Sequence, residues 1–163
     1  MAIHSALTES TGPESDVDVN NVHPWPTHCQ ETGSQPFTLD HFVLRNGIQF
    51  AGTHLILDFW EASQLNDLGL MELTLTQGVE AAGATLLHLH LHHFTPNYGI
   101  SGVAVLAESH ISVHTWPERN YAAFDIFMCG NAQPEKVIPI LKQAFIPGKV
   151  IVTEHLRGLV NEP

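Results

Sequence analysis

The chain has 163 residues, with six Lys and Arg against seventeen Asp and Glu, which gives a formal charge of −11. This length favours one domain built on a single hydrophobic core. The negative charge argues against a phosphate backbone or an anionic membrane surface as partner, so we expect a small-molecule ligand and no nucleic acid. No apolar run approaches the roughly 20 residues that span a bilayer, and the N-terminus lacks the features of a secretory signal. These properties predict a cytoplasmic protein that does not enter membranes.

The first part of the chain differs in composition from the rest. Residues 1–36 contain no Lys or Arg, five acidic residues and four prolines, without sustained hydrophobic periodicity. Such a segment buries too little apolar surface to offset the entropy of ordering it. We predict a disordered or loosely docked acidic leader over residues 1–49 and a folded domain over residues 50–163. Cys29 in the leader and Cys129 in the domain are not expected to pair.

Hydrophobic periodicity and turn residues predict eight elements in the domain. Pro139 is awkward in the second helix, because an interior proline removes a backbone amide. The order β-α-β-β-β-β-α-β indicates an α+β fold, a two-layer α/β sandwich with a mainly antiparallel sheet and two helices on one face. The predicted elements are a strand at 53–60, a helix from 66 or 67 to about 83, strands at 84–94, 102–108, 110–116 and 121–129, a helix at 134–146 and a strand at 149–156.

Three histidines alternate with leucines in "HLHLHH". On a straight strand His88 and His92 lie roughly 13 Å apart, so they cannot share one ion with His90 between them. No cysteine or carboxylate nearby completes a ligand set. We predict a polar or partner-facing strand surface here and no metal site.

The stretch "LAESHISVHTWPE" (106–118) concentrates serine and histidine side chains. A nucleophilic Ser109 of the G-x-S-x-G type is disfavoured, because neither glycine is present. Strand alternation places His110, Ser112, His114, Trp116 and Glu118 on one face, with Ile111 and Val113 in the core. Ser109 falls on the opposite face from His114. Either the backbone breaks at Ser109, or this serine is unrelated to the histidine.

The segment "GISGVAVLAESHISVHTWPERNYAAFDIFMCG" (99–130) resembles the bacterial and archaeal S-adenosylmethionine decarboxylase proenzymes, and the resemblance extends over about residues 52–160. It implies cleavage between Glu108 and Ser109, which yields fragments 1–108 and 109–163. The cofactor implied is a pyruvoyl group derived from Ser109, which forms a Schiff base with the substrate and acts as the electron sink for loss of CO2. The activity implied is decarboxylation of S-adenosylmethionine to the aminopropyl donor of spermidine and polyamine synthesis.

The resemblance also implies roles for individual residues. Glu108, Ser109 and Ser101 are the processing residues, with Ser101 assisting the acyl shift, and His114 transfers a proton during processing. Cys129 is the proton donor in catalysis. Phe94 and Trp116 lie beside the adenine and Glu118 contacts the ribose. In this family the cleaved chains stay together and pair into a homodimer, which we expect here.

The chain departs from the usual family pattern in places. There is an extra residue near Asn97, Arg119-Asn120 replaces the usual Tyr-Gly, and Met128 replaces a common threonine. Two alternatives therefore remain open. One is a decarboxylase of the same fold that acts on arginine or ornithine, and the other is a non-enzymatic regulatory paralogue.

Overall fold

The computed structural model describes residues 41–95 and 98–160. Most of the predicted leader, including Cys29, and the predicted extra residue near Asn97 lie outside these ranges. Short 3-10 turns at Pro117–Arg119 and Pro134–Lys136 accompany the main elements. The strands and α-helices in the described ranges are β1 (Val43–Arg45), β2 (Ile48–Trp60), α1 (Leu68–Ala81), β3 (Leu86–His93), β4 (Ile100–Leu106), β5 (Ser109–Trp116), β6 (Tyr121–Cys129), α2 (Val137–Phe145) and β7 (Lys149–Leu159).

All these strands join one antiparallel sheet. Its order is β1-β2-β6-β5-β4-β3, with β7 also paired to β2. The run from β3 to β6 is the predicted meander. Buried residues of α1 and α2 join one core with alternate residues of the strands, so both helices cover the same face. The predicted two-layer sandwich is confirmed.

The core follows from the two periodicities in the sequence. Strand residues point alternately into and out of the core, while the helices contribute residues spaced by three or four. Each fully buried large apolar side chain stabilises the fold by about 1.5–3 kcal/mol relative to exposure. The largest contributions come from Leu57, Phe59, Met71, Leu75, Ile111, Phe124, Ile126, Leu141 and Phe145, all fully buried.

The helix ends are set by local chemistry. Asp67 caps α1, since its Oδ1 accepts a hydrogen bond from the Leu70 N–H at 2.9 Å, and Gly83 follows the helix with a positive φ of 73°. The predicted second helix divides into the 3-10 turn at 134–136 and α2. Pro139 therefore lies in the first turn of α2, where a backbone N–H has no intrahelical partner to lose.

The sheet begins earlier than the sequence predicted. Strand β1 and the part of β2 before Thr53 form a hairpin in a region where we expected no strand. Asn46 and Gly47 both have positive φ, the conformation that a two-residue hairpin turn requires and that Asn-Gly favours. Phe50 is fully buried and pairs with Val43 on β1 and Leu159 on β7, which joins the hairpin to the rest of the sheet.

The strands that precede Ser109 in the chain and the strands that follow it are interleaved in the sheet. Strands β5 and β6, which follow Ser109, lie between β2 and β4, which precede it, and β7 lies on the other side of β2. Neither segment therefore contains a continuous sheet of its own. Cleavage at this point would leave three cross-segment strand pairings: β2 with β6, β2 with β7, and β4 with β5.

The sheet face opposite the helices, here called the open face, is covered by no described element. Trp60 and Trp116 are each 42% exposed on it, with Tyr121 between them in register. The side chains of His88, His90 and His92 are exposed on β3 and form the polar strand surface that the sequence predicted. No α-helix within 41–95 and 98–160 is long and apolar enough to cross a membrane.

Candidate active site

The predicted cleavage position lies in the turn between β4 and β5. Leu106 pairs with Ser109, which leaves Ala107 and Glu108 as the turn residues. Glu108 has a φ of +64°, in the left-handed region that is unfavourable for a residue with a Cβ atom. Such conformations cluster at functional sites, because the surrounding structure must hold them in place.

Cys129 contacts both sides of the Glu108–Ser109 bond. Its Sγ lies 3.2 Å from the main-chain oxygen of Glu108, as donor, and 3.7 Å from the Ser109 Oγ. Its backbone N–H also donates to the Ser109 Oγ, at 3.3 Å. Ser109 is only 8% exposed. The end of β6 thus holds the hydroxyl and supplies a thiol donor to the carbonyl of the predicted scissile bond.

A cavity of about 200 Å³ adjoins this bond. We call Glu108, Ser109 and Cys129, with the cavity they line, the processing end of the sheet. The remaining lining is mostly small side chains and backbone, which leaves room near the serine. The other lining residues are His41, Gly83, Ala84, Thr85, Ala107, Gly130, Asn131 and Ala132.

A second polar pair lies further along the same hairpin. Ser101 on β4 is the register partner of His114 on β5, and the Ser101 Oγ lies 2.9 Å from the His114 Nδ1. The hydroxyl can donate to this nitrogen or accept from it, depending on the imidazole tautomer. His114 is exposed on the open face, as predicted.

Next to this pair is a cavity of about 340 Å³, called here the Trp116 pocket. Buried Thr115 fixes its floor, because the Thr115 hydroxyl accepts from the Ile100 N–H at 2.7 Å and donates to the Leu65 carbonyl at 2.9 Å. The pocket brings together the three residues predicted to contact substrate. It is lined by Phe94, Thr95, Gly99, Ser101, Thr115, Trp116 and Glu118.

One placement differs from the sequence prediction. Glu118 does not lie on the strand face with His114, because β5 ends at Trp116 and Pro117 starts a 3-10 turn. Proline cannot donate to the strand ladder, which ends the pairing. Asn120 closes this turn with a φ of +50°, a conformation that asparagine tolerates and that explains how it replaces the usual glycine.

The structure does not bring His114 to Ser109 within one chain. The two residues are five positions apart on β5, or about 16 Å, and their side chains lie on opposite faces. No break in the backbone is needed to explain the parity mismatch, because Ser109 faces the processing end and His114 faces the Trp116 pocket. The predicted site residues therefore form two groups.

Other features of the open face were not predicted from the sequence. The Tyr121 hydroxyl donates to Asp58 Oδ1 at 2.6 Å, and burial together with this hydrogen bond raises the pKa of Tyr121 to about 12. Burial and neighbouring His54 lower the pKa of His110. These contacts depend on the register between β2, β6 and β5, which alternation within one strand does not reveal.

Comparison with known proteins identifies the family. The family model described as S-adenosylmethionine decarboxylase matches residues 53–158. The chain belongs to this family. The S-adenosylmethionine decarboxylase proenzyme of Methanococcus vannielii is 48% identical over 113 residues, which cover 68% of this chain and 92% of that protein. The corresponding proenzyme of Thermomicrobium roseum is 40% identical over 110 residues, 67% of this chain and 95% of the relative.

The family likeness extends to a solved structure. The crystal structure of the adenosylmethionine decarboxylase from Aquifex aeolicus superposes with a TM-score of 0.61 at 29% sequence identity, covering 70% of this chain and 96% of that one. The decarboxylase family predicted from residues 99–130 is thus confirmed. The roles of individual residues remain predictions.

Proposed function

We propose that this protein is a proenzyme that cleaves itself between Glu108 and Ser109 and then decarboxylates S-adenosylmethionine for polyamine synthesis. Family membership supports the activity. The observation that carries the cleavage position is the Cys129 thiol, which lies 3.2 Å from the Glu108 carbonyl oxygen beside the Ser109 hydroxyl.

The arrangement suits an N-to-O acyl shift. The Ser109 Oγ attacks the carbonyl carbon of Glu108, the peptide C–N bond breaks, and an ester forms. The Cys129 thiol donates to the oxygen on which negative charge develops, and a donor placed in advance lowers the barrier. Loss of the Ser109 Cα proton then breaks the Oγ–Cβ bond and releases Glu108 as a carboxylate. Water hydrolyses the remaining dehydroalanine, which leaves a pyruvoyl group and ammonia.

The surroundings of Ser109 fit such a group. Among the described residues, the adjoining cavity of about 200 Å³ is lined by no lysine, whose amine would compete with the substrate amine for the carbonyl. The pyruvoyl group supplies a carbonyl that binds this amine and accepts the electron pair left by CO2. Cys129, which already contacts the Ser109 Oγ, is placed to return a proton to the substrate α-carbon.

The Trp116 pocket fits the adenosine part of the substrate. Phe94 and Trp116 are 47% and 42% exposed, so their rings are available for stacking on a purine or for contact with a sulfonium cation. Glu118 lines the same pocket and can accept hydrogen bonds from ribose hydroxyls. A nucleoside-bearing substrate uses all three, whereas arginine and ornithine have neither a purine to stack on both rings nor ribose hydroxyls to donate to Glu118.

The two groups of residues are completed by a second copy of the chain. A two-fold axis between two open faces, running across the strands, sets the His114 end of one protomer beside the Glu108–Ser109 peptide at the sheet end of the other. The partner approaches this peptide from the open face, while the Ser109 side chain points to the helix side of its own sheet. Trp60 and Trp116 favour this contact, because burying two aromatic side chains that are each 42% exposed removes apolar surface from water. The functional unit is therefore a homodimer of cleaved protomers, in which each site takes residues from both.

Intact mass spectrometry of the purified full-length protein tests the cleavage. We expect two fragments, 1–108 and 109–163, with the smaller one reactive toward carbonyl reagents. Ser109→Ala gives only the uncleaved chain, while the control Ser112→Ala, on the same strand, is cleaved normally. A wild-type chain that stays intact under native conditions contradicts the proposal.

Co-expression of two uncleavable variants tests the shared site. Chains carrying His114→Ala retain Ser109, and chains carrying Ser109→Ala retain His114. If each site combines both subunits, the His114→Ala chain is cleaved when it is paired with Ser109→Ala, although neither is cleaved alone. If the histidine acts within its own chain, the mixture remains intact.

Release of CO2 from S-adenosylmethionine, arginine and ornithine tests the substrate. We expect turnover of S-adenosylmethionine alone. Faster turnover of a basic amino acid would assign this chain to the first alternative, and a cleaved protein without activity toward any of the three would favour the regulatory one.

A further inference from the structure

The segment before β1 reaches the processing end. His41 precedes the region that the family model matches, residues 53–158. The Gly130 N–H donates to the His41 carbonyl at 2.8 Å, which joins this segment to the residue directly after Cys129. The His41 side chain then forms part of the wall of the cavity beside the predicted scissile bond.

The imidazole of His41 contacts the residue whose carbonyl is attacked. Its Nε2 lies 2.9 Å from the Glu108 Oε1. The other carboxylate oxygen of Glu108, Oε2, lies 4.0 Å from the Cys129 Sγ. A free carboxylate on the residue whose carbonyl is attacked would repel the negative charge that develops on the carbonyl oxygen during cleavage. His41 is a side chain within hydrogen-bond distance of this carboxylate, and the contact holds it in one direction.

The same contact bears on the shape of the turn. Glu108 holds its left-handed conformation, with a φ of +64°, at an energetic cost. Its backbone is held by the flanking strands, and its side chain is held by His41. The contact therefore holds the carboxylate in one direction, while the Glu108 carbonyl is held by its contact with the Cys129 thiol.

We propose that His41 is a positioning residue for self-cleavage, which acts by binding the carboxylate of Glu108. The inference rests on the proposed cleavage between Glu108 and Ser109 and adds a residue from outside the matched region. His41 makes and breaks no bond itself. The pair is about half exposed, at 53% and 52%, so its effect is moderate. We expect His41→Ala to slow cleavage about fivefold, the equivalent of roughly 1 kcal/mol in the barrier.

The test follows cleavage of the full-length chain by intact mass after synthesis in a cell-free system, which defines the starting time. His41→Ala is compared with His41→Arg, which keeps a donor for the carboxylate, and with His155→Ala, an exposed histidine on β7 as control. We expect slower cleavage in His41→Ala, substantial recovery in His41→Arg and no change in His155→Ala. Wild-type rates in His41→Ala would overturn the role of His41 while leaving the proposed cleavage intact.

A double-mutant cycle separates positioning from a general effect on folding. If His41 acts through the carboxylate, His41→Ala has less than a twofold effect in chains that also carry Glu108→Ala, which removes the acceptor of the His41 contact. An undiminished fivefold effect in that background shows that His41 acts through the fold and overturns the inference. A wild-type chain that is cleaved elsewhere, or not at all, removes the proposed function itself.

Discussion

The two ends of β5 carry different reactive side chains in different surroundings. At one end Ser109 is buried in contacts with Cys129 and has no other described polar side chain at its hydroxyl. At the other end His114 is exposed, paired with Ser101, and lies next to a pocket lined by aromatic residues. One end carries the predicted scissile bond, and the other carries an imidazole beside a pocket with exposed aromatic rings. The proposed function needs both ends.

The largest expected effect concerns the thiol at the processing end. Cys129→Ala should slow self-cleavage and reduce turnover about a hundredfold, since the variant loses the donor to the carbonyl and the proton source. Cys129→Ser, which keeps a hydrogen-bond donor, should retain more cleavage than Cys129→Ala. Both are measured as cleaved fraction against time and as CO2 release per cleaved chain. Cleavage of Cys129→Ala at the wild-type rate would show that the contact with Glu108 is not used.

The next effect concerns stability at the floor of the Trp116 pocket. Thr115→Val removes the hydroxyl and leaves the Ile100 N–H and the Leu65 carbonyl without partners, which should lower the free energy of unfolding by about 2 kcal/mol. Urea unfolding in a Ser109→Ala background keeps the chain uncut and the transition interpretable. Thr115→Ser, which retains both hydrogen bonds, is the control. An equal loss in both variants would assign the effect to packing of the methyl group.

A smaller effect is expected for the substrate. Trp116→Ala should raise KM for S-adenosylmethionine about tenfold with a lesser change in kcat, because stacking on a base is worth about 1–3 kcal/mol. Trp60→Ala is the matched control, with KM measured on the dimeric fraction of each variant, since Trp60 has the same 42% exposure but does not line the pocket. Equal changes in KM for the two variants would remove the pocket from substrate binding.

The smallest expected effect concerns the pH dependence of stability and involves His110, the residue after Ser109 on β5. The pKa of His110 is lowered in the folded protein by burial and by His54, and partly raised by Asp125. The unfolded chain therefore takes up this proton at higher pH than the folded one, and His110 costs stability as the pH falls below about 6.5. We expect the loss of Tm between pH 7.5 and 5.5 to be about 1–2 °C smaller in His110→Gln than in wild type. Equal losses of Tm in the two proteins would show that protonation of His110 does not affect the stability of the fold.

The sequence correctly predicted the features that depend on the pattern within a single strand or a single continuous segment. Alternation in β5 correctly placed Ile111 and Val113 in the core and His114 on the open face. The residues of 99–130 were enough to predict the family, which the comparisons confirm. The Asn46-Gly47 turn was a readable hairpin signal that the acidic composition of the preceding residues obscured.

The rest depends on contacts between distant parts of the chain. The sequence left two explanations for the mismatch between Ser109 and His114, a break at Ser109 or no shared role, and the uncut chain shows one continuous strand whose two ends face different environments. Cleavage at Ser109 stays a prediction. Nothing in the local pattern around His41 indicates that it meets Glu108, because the contact depends on where the β1 hairpin meets the end of β6. Such contacts are set by sheet order and register rather than by periodicity.

The interleaved sheet has a consequence for the order of events in the life of the protein. Strands β5 and β6 reach their places between β2 and β4 while the chain is still continuous, when the turn at Glu108 makes their pairing local. If the turn is cut as proposed, the same pairing becomes an encounter between two separate molecules and loses the advantage of a short loop. We therefore expect the uncut precursor to regain its structure after denaturation far more readily than the cleaved two-chain protein does at the same dilution.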